Sequence, residues 1–268
     1  TTNSVQKINI LRGLTMTDPS KLKENAFTGS PAEGSMFLYQ NPEYLSLQAH
    51  GALGWTMPTK PYSFAEKIIS IPLVISEIPS AQKFYPIIFS SIDSGRLLAV
   101  FSAEQEINPF VSDDGVWEND YYIPAYLRRY PFATVAREEN KVAVVIDRAS
   151  DGIVEFSDLP FFEDGRISSA TQSMIDFSVQ YERDRKITQD FTQTILGLGL
   201  LSEQRVGQSI NGENKLLSNY VSIDGDKLDA LSSEQLASLH EKRYLGFIYG
   251  QLFSQENWSK LIARIADL

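Results

Sequence analysis

The chain has 268 residues, with 24 lysines and arginines against 34 aspartates and glutamates, so its formal net charge is −10. Such an acidic chain repels nucleic-acid phosphates, and its sequence contains no concentrated basic face that would offset this repulsion, so we expect no nucleic-acid partner. The absence of cysteine excludes disulfides, thiolate metal sites and cysteine nucleophiles. With 43% hydrophobic residues, the composition is typical of a soluble protein with an ordinary hydrophobic core.

The first 45 residues differ in amino-acid composition from the rest of the chain. Residues 15–34 are mostly small or polar, so we predict a loosely ordered N-terminal arm over 1–45 and a single domain over 46–268. No basic start followed by an apolar core marks a secretory signal, and we expect a cytoplasmic protein, although a signal removed earlier would leave the same sequence. The longest apolar stretches, 68–75 and 196–201, are far shorter than the roughly 20 residues of a membrane span.

Two hairpins are predicted in the middle of the chain. The apolar runs 84–90 and 96–101 flank an Asp-Ser-Gly turn, and the runs 132–136 and 141–147 flank Glu-Glu-Asn. We expect these four strands to form one antiparallel sheet.

A long helix is predicted to begin near Ile167, because apolar residues then recur at spacings of three and four until Gly197 and Gly199 end it. Asp184 interrupts this apolar stripe at its centre. One interpretation is that Asp184 places a polar group in the core, where it holds a ligand or the register of the helix against its neighbours. The other is that its side chain turns toward solvent. We favour the second interpretation, because charged side chains are seldom buried without a partner.

The remainder of the chain predicts a hairpin and then helices. Asn211-Gly212, between residues 206–210 and 216–223, is a strong hairpin signal. Ser232 or Ser233 can cap a helix whose apolar side extends to Leu252, and a last helix is predicted over 255–266. The expected fold class is therefore α+β: a central antiparallel sheet with a helical C-terminal half and an inserted β-hairpin.

Catalytic and metal-binding motifs are scarce. His50 and His240 are distant in sequence and belong to no metal-ligand pattern, so we predict no metal site. Ser80 and Lys83 match SxxK but lack its companion elements, and no nucleophile elbow or phosphate-binding glycine loop occurs. No cofactor and no catalytic residue can be named from these patterns.

Two acidic clusters could chelate a hard cation. One is Asp113-Asp114-Gly115 with Glu118 and Asp120, and the other is Asp224-Gly225-Asp226 with Asp229. Neither has the register of a calcium-binding loop, and Asp-Gly is ordinary turn chemistry. We therefore interpret both clusters as turns.

The aromatic–arginine segment, residues 117–132, is the most distinctive part of the chain. Five aromatic residues precede Pro131 and surround Arg128 and Arg129. If residues 120–130 are helical, Tyr122, Tyr126 and Arg129 share a face and Arg128 points elsewhere. That face could bind a carboxylate or phosphate through the guanidinium group, or stack a planar ligand. Alternatively, the arginines pair with internal carboxylates and the tyrosines belong to the core.

This segment also carries a family resemblance. The sequences FYPIIF over 84–89 and YIPAYLRRYPF over 122–132, followed by Leu239-His240 and Ile248-Tyr249, resemble the SapC family of bacterial proteins. The resemblance extends from about His50 to the C-terminus. It implies an association, by name, with a bacterial surface layer, and gene neighbours that include flavin-dependent tryptophan halogenases. It implies no reaction and no catalytic residues.

Two functional hypotheses follow. The first is a non-enzymatic binding or accessory protein that recognises a peptide, a carboxylate ligand or a partner enzyme, which the resemblance suggests could be a flavin-dependent halogenase. The second is an enzyme of unrecognised type, metal-assisted or not, that uses His50 or His240 with a carboxylate. The candidate ligand-binding residues are His50, Tyr122, Tyr126, Arg128, Arg129 and Tyr130.

Overall fold

A computed structural model describes residues 36–93, 95–103, 106–136, 142–210 and 213–267. Short strands and 3-10 turns fill the first half of this region, and long elements fill the second half. The strands are β1 (Pro42–Tyr44), β2 (Leu53–Trp55), β3 (Ser70–Pro72), β4 (Ile87–Phe89), β5 (Leu97–Val100), β6 (Phe132–Ala136), β7 (Val142–Asp147), β8 (Ile153–Glu155), β9 (Phe162–Glu163), β10 (Arg166–Ile167), β11 (Leu201–Ile210) and β12 (Glu213–Ile223). The helices are α1 (Leu47–His50), α2 (Ile78–Ala81), α3 (Ala125–Arg128), α4 (Ser169–Gly197), α5 (Gly225–Asp229), α6 (Ser233–Glu241), α7 (Leu245–Phe253) and α8 (Asn257–Ala266).

The largest sheet has the strand order β11-β12-β4-β5-β3, with antiparallel pairs throughout. All residues of β4 and β5 are buried, which matches their uninterrupted apolar sequences. The predicted hairpin forms as β11 and β12, and Ile210 pairs with Glu213 at its end. Asn211-Gly212 itself lies outside the described residues. The α+β class is confirmed: the sheets are antiparallel, and most of the helical residues lie in the second half of the chain, which also carries the β11–β12 hairpin.

The prediction that both middle hairpins share one sheet is wrong. β6 and β7 form a separate three-stranded sheet with β1, in the order β1-β7-β6. The physical reason is that the large sheet has no free edge at the first hairpin, since β12 pairs with β4 on one side and β3 pairs with β5 on the other. Two further pairs, β2 with β8 and β9 with β10, stand outside both sheets.

Part of the predicted N-terminal arm falls within the described residues. Tyr39 is buried and donates its hydroxyl hydrogen to the Phe132 carbonyl oxygen at 2.7 Å. β1 follows and pairs with β7 through Pro42 and Asp147. Residues 36–44 therefore pack against the smaller sheet.

Helix α4 confirms the periodicity seen in the sequence. The Ser168 hydroxyl caps it by accepting a hydrogen bond from the Thr171 N–H, and its buried face includes Tyr181, Phe191 and Ile195. Asp184 is half-buried, and its carboxylate accepts hydrogen bonds from Ser76 at 2.7 Å and from Gln180 at 2.8 Å. It thus fixes the helix against a neighbouring segment rather than simply facing solvent.

The C-terminal helices complete the core. The helix predicted to continue to Leu252 instead divides into α6 and α7, because Arg243 adopts a left-handed conformation with φ of 60°. Ser232 caps α6 as predicted. The predicted last helix, 255–266, forms from a 3-10 turn at Ser254–Glu256 followed by α8. Across the described ranges, no helix combines the length and apolar character needed to span a membrane.

Side chains of these last helices bind backbone groups of the large sheet and its surroundings. Gln251 donates to the Ile87 carbonyl oxygen at 2.8 Å, and Asn257 donates to the Gln82 carbonyl oxygen at 2.7 Å. Arg264 donates to the Pro109 carbonyl oxygen at 2.9 Å. The middle of the chain is therefore held by residues far away in sequence.

Candidate functional site

The aromatic–arginine segment contains much less helix than its sequence predicts. Only α3 is helical, so the condition of a helix over 120–130 is not met. Pro124 has an extended conformation, with φ of −57° and ψ of 143°, and helical geometry begins after it. The two arginines consequently separate: Tyr126 and Arg129 lie together in the core, whereas Tyr122 lies beside Arg128 at the surface.

A buried carboxylate, Glu77, holds the start of α3. One of its oxygens accepts hydrogen bonds from the Ala125 N–H at 2.6 Å and from the Tyr122 hydroxyl at 3.0 Å, and the other accepts from the Val74 N–H at 3.0 Å. Burial raises the pKa of Glu77, and these hydrogen bonds and Arg128 oppose the rise only in part. Glu77 therefore joins the segment to the 3-10 turn at Ile75–Glu77.

Arg129 is an internal residue with only 4% of its surface exposed. Its guanidinium carbon lies 4.1 Å from the ring centre of Tyr126 and 4.4 Å from that of Tyr181. One terminal nitrogen forms an ion pair with Glu182 at 3.1 Å. Its Nε atom is buried and has no hydrogen-bond partner among the described residues. Cation–π contacts and one carboxylate thus hold this charge inside the protein.

Arg128 is exposed, in contrast, and its guanidinium group is fixed in place. Nε donates to the Ile123 carbonyl oxygen at 3.0 Å, and a terminal nitrogen donates to the Tyr122 hydroxyl at 3.1 Å. The guanidinium carbon lies 5.1 Å from the ring centre of Phe177 on α4 and 5.6 Å from that of Tyr122. No carboxylate in the described ranges forms an ion pair with it.

The tyrosine hydroxyl groups around these arginines have raised pKa values. Burial, with help from Glu77, raises the pKa of Tyr122 to about 12. Burial also raises the pKa of Tyr126, whose hydroxyl donates to the Phe37 carbonyl oxygen at 2.9 Å. The Tyr122 hydroxyl is therefore neutral near pH 7 and can accept from Arg128 while it donates to Glu77.

Tyr130 faces away from Arg128, toward the small sheet. Its ring stacks on Phe64 with 4.2 Å between ring centres, and its hydroxyl donates to the buried Asp147 at 3.0 Å. Burial, and then the charge of Asp147, raises the pKa of Tyr130. Asp147 also accepts from the backbone N–H groups of Gln40 and Asn41. Tyr130 thus links the segment to β1 and β7.

The two histidines occupy different environments. His50 is buried at the end of α1, where Nδ1 accepts from the Ser46 N–H at 3.1 Å and Nε2 lies 3.1 Å from a Glu43 carboxylate oxygen. His240 is exposed on α6. Within the described ranges, no three histidine or carboxylate side chains are grouped closely enough to hold a metal ion.

The first acidic cluster contains the predicted turn, whereas the turn predicted for the second is wrong, because residues 225–229 form the short helix α5. Gly115 adopts a positive φ of 66°, which a glycine accepts without strain. Asp224 caps α5 by accepting hydrogen bonds from the backbone N–H groups of Asp226 and Lys227. Their carboxylates therefore have structural partners or face solvent.

Several residues of this site carry no recognisable signal in the sequence. Their partners in the segment lie 45 to 53 residues away in sequence. Glu77 precedes the segment and contacts Tyr122, whereas Glu182 and Phe177 lie on α4 and contact Arg129 and Arg128. Only the apolar stripe of α4 indicates that Phe177 and Tyr181 face the core side of that helix. No sequence pattern indicates that Glu182 binds Arg129 or that Glu77 binds the Ala125 N–H; only the structure shows these contacts.

Comparison with known families identifies the chain. A family model described as SapC matches residues 45–261 and so contains the aromatic–arginine segment and most of the fold. The chain belongs to the SapC family. No curated protein and no solved structure compared with it matches. Membership in the SapC family thus agrees with the resemblance carried by the sequence over 84–89 and 122–132.

Proposed function

We propose that this SapC family member is a non-enzymatic binding or accessory protein that recognises a carboxylate through Arg128. The carboxylate is presented by a small ligand, a peptide or a partner enzyme, and the family resemblance makes a flavin-dependent halogenase a candidate partner. The observation that carries the proposal is the state of the Arg128 guanidinium group. Two of its five N–H groups are used internally, which leaves three without a partner among the described residues.

The surroundings of Arg128 support this role. Its two internal hydrogen bonds and the rings of Tyr122 and Phe177 hold the guanidinium plane in one orientation, so little side-chain entropy is lost on binding. Carboxylates bind such a fork through two parallel hydrogen bonds. The aromatic rings add an apolar wall for the rest of the ligand. Tyr126, Arg129 and Tyr130 act as the support behind this surface.

A titration with benzoate, and with a short peptide whose C-terminus is either free or amidated, tests the proposal. We expect both carboxylates to bind and the amidated peptide to bind at least tenfold more weakly. Arg128→Ala should remove this preference, and Arg128→Lys should restore it only in part, because an ammonium group cannot form the fork. The exposed Arg183→Ala variant on α4 is the matched control. Unchanged affinity in Arg128→Ala would disprove the proposal.

One observation favours the enzyme hypothesis as a second candidate. Glu43 and His50 form a histidine–carboxylate pair, the arrangement that orients an imidazole for proton transfer or for metal binding. The pair is inaccessible from the His50 side, since that residue is 2% exposed and both ring nitrogens have partners. Elemental analysis of the native protein tests the metal-assisted form. Stoichiometric metal that is lost in His50→Ala would support it.

A further inference from the structure

The loop that follows β8 presents an aromatic side chain directly to solvent. Phe156 is 91% exposed and has a φ of 53°, in the left-handed region that phenylalanine rarely adopts. This residue gains nothing in folding from exposure, and its backbone conformation is strained. Strain that the fold does not use is typical of residues that act on something outside the chain.

Hydrogen bonds and close packing anchor the loop around Phe156. The Ser157 hydroxyl donates to the Trp55 carbonyl oxygen at 2.6 Å and accepts from the Leu159 N–H at 3.1 Å. The loop also packs directly on Gly54, where a β-carbon would stand 2.4 Å from the Leu159 carbonyl oxygen. The residues that follow Phe156 are therefore fixed to β2, and this anchoring accompanies the outward position of the Phe156 side chain.

Other exposed apolar side chains belong to the Phe156 loop and to the segment that adjoins it. The Phe156 N–H bonds to the carbonyl oxygen of Ala52, two residues after the end of α1. Leu47, the first residue of α1, is 48% exposed, and its side chain lies over the end of that helix, 3.3 Å from the β-carbon position of Gly51. Leu47 in turn reaches the β9–β10 turn, 3.8 Å from the β-carbon position of Gly165. Leu159 is 45% exposed on the same loop. Leu47, Phe156 and Leu159 define what we call the Phe156 surface.

The charged residues nearest to Phe156 in the sequence are acidic, and the basic residues that flank them are Arg148 and the exposed Arg166. All five acidic residues between positions 151 and 164 are exposed, and no lysine or arginine occurs from 149 to 165. These residues are Asp151, Glu155, Asp158, Glu163 and Asp164. An apolar centre with an acidic rim disfavours an anionic membrane and a second copy of the same acidic surface, and it complements a basic partner.

We propose that the Phe156 surface docks a basic segment of another protein, whose apolar side chains cover Phe156 while its lysines or arginines face the acidic rim. The segment is amphipathic, because the surface offers both an apolar centre and carboxylates. This surface involves no residue of the Arg128 site, so it would serve a second partner contact.

Binding of a short synthetic amphipathic helix of lysine and leucine, with its glutamate–leucine counterpart as comparison, tests the proposal in the full chain. We expect the basic peptide to bind and the acidic one not to bind. Phe156→Asn should weaken binding of the basic peptide about tenfold or more. Because asparagine tolerates the left-handed conformation, this variant should remain folded, with an unfolding temperature at least as high as that of the parent. Phe253→Asn, at an exposed phenylalanine of α7, is its matched control.

The charge requirement is tested by two double variants that each remove two negative charges. The first double variant, Glu155→Gln with Asp158→Asn, should weaken binding of the basic peptide. The second, Asp113→Asn with Asp114→Asn, should leave this binding unchanged. Equal weakening in both would show only long-range attraction to an acidic protein and would overturn the proposal. It would also be overturned by equal binding of parent and Phe156→Asn, by Phe156-dependent binding to phosphatidylcholine vesicles, or by Phe156-dependent self-association in sedimentation.

Discussion

The carboxylate of Glu77 accepts a hydrogen bond from the backbone N–H of Ala125 at 2.6 Å, across 48 residues of sequence. It satisfies one of the N–H groups that the first turn of α3 leaves without a partner inside the helix. The same oxygen orients Tyr122, which accepts from Arg128. A buried carboxylate thus stands directly behind the proposed binding surface.

Glu77 should make stability fall as the pH rises. Burial raises its pKa in the folded protein above the ordinary value of 4.5. The folded state therefore binds the proton more tightly than the unfolded chain does. The free energy of unfolding should decrease from pH 4.5 upward through the raised pKa.

Urea unfolding of the parent and of Glu77→Gln over this pH range measures the effect. Glutamine imitates the protonated acid, so the two proteins should be most alike at the acidic end, and the parent should lose stability relative to the variant as the pH rises. Glu66→Gln, at an exposed position, controls for the loss of one negative charge. A stability difference that is independent of pH would contradict the assignment.

Arg128 and Arg129 should differ sharply when each is replaced by alanine. Arg129→Ala removes a buried side chain from between Tyr126 and Tyr181, and we expect a loss of about 3–5 kcal/mol of unfolding free energy. Arg128→Ala removes an exposed side chain and should cost about 1 kcal/mol or less. Urea unfolding of both variants provides the measurement. Similar losses would mean that Arg128 is also a structural residue.

Gly246 and Gly250, one turn apart on α7, form a second matched pair. A β-carbon at Gly250 would lie 2.7 Å from the buried Ile78 side chain of α2, whereas a β-carbon at Gly246 would meet no atom of another described element within 4 Å. Gly250→Ala should therefore cost about 1–3 kcal/mol through overpacking. Gly246→Ala should be neutral or stabilise by up to about 1 kcal/mol, because alanine favours a helix. Thermal unfolding that shifts equally in both would contradict the close contact at Gly250.

Sequence patterns predicted the elements whose determinants are local. The stripe of α4, the capping serine of α6 and the strands beside Asn211-Gly212 each depend on residues a few positions apart. The assignment of hairpins to sheets was wrong because it depends on which strand occupies each edge, and β3 and β12 come from distant parts of the chain. Local spacing does not contain that information.

The same distinction applies to the candidate site. Helical spacing grouped Tyr122 with Arg129, but α3 begins only after Pro124, with Glu77 bound to the Ala125 N–H, so Tyr122 meets Arg128 instead. Arg128 and Arg129 were both recognised as candidates from the sequence. Their different burial follows from α4, which packs beside the segment and supplies Glu182 to one arginine and Phe177 to the other.

The hydrogen bonds from Gln251 to Ile87 and from Asn257 to Gln82 have a consequence for synthesis of the protein. During translation, β4 leaves the ribosome more than 160 residues before the side chain that binds its Ile87 carbonyl oxygen. Until β12 and then α7 have been made, the centre of the large sheet lacks first its partner strand and then its helical cover, and its apolar strands are open to other chains. The complete native arrangement can therefore form only after the last helices have been made.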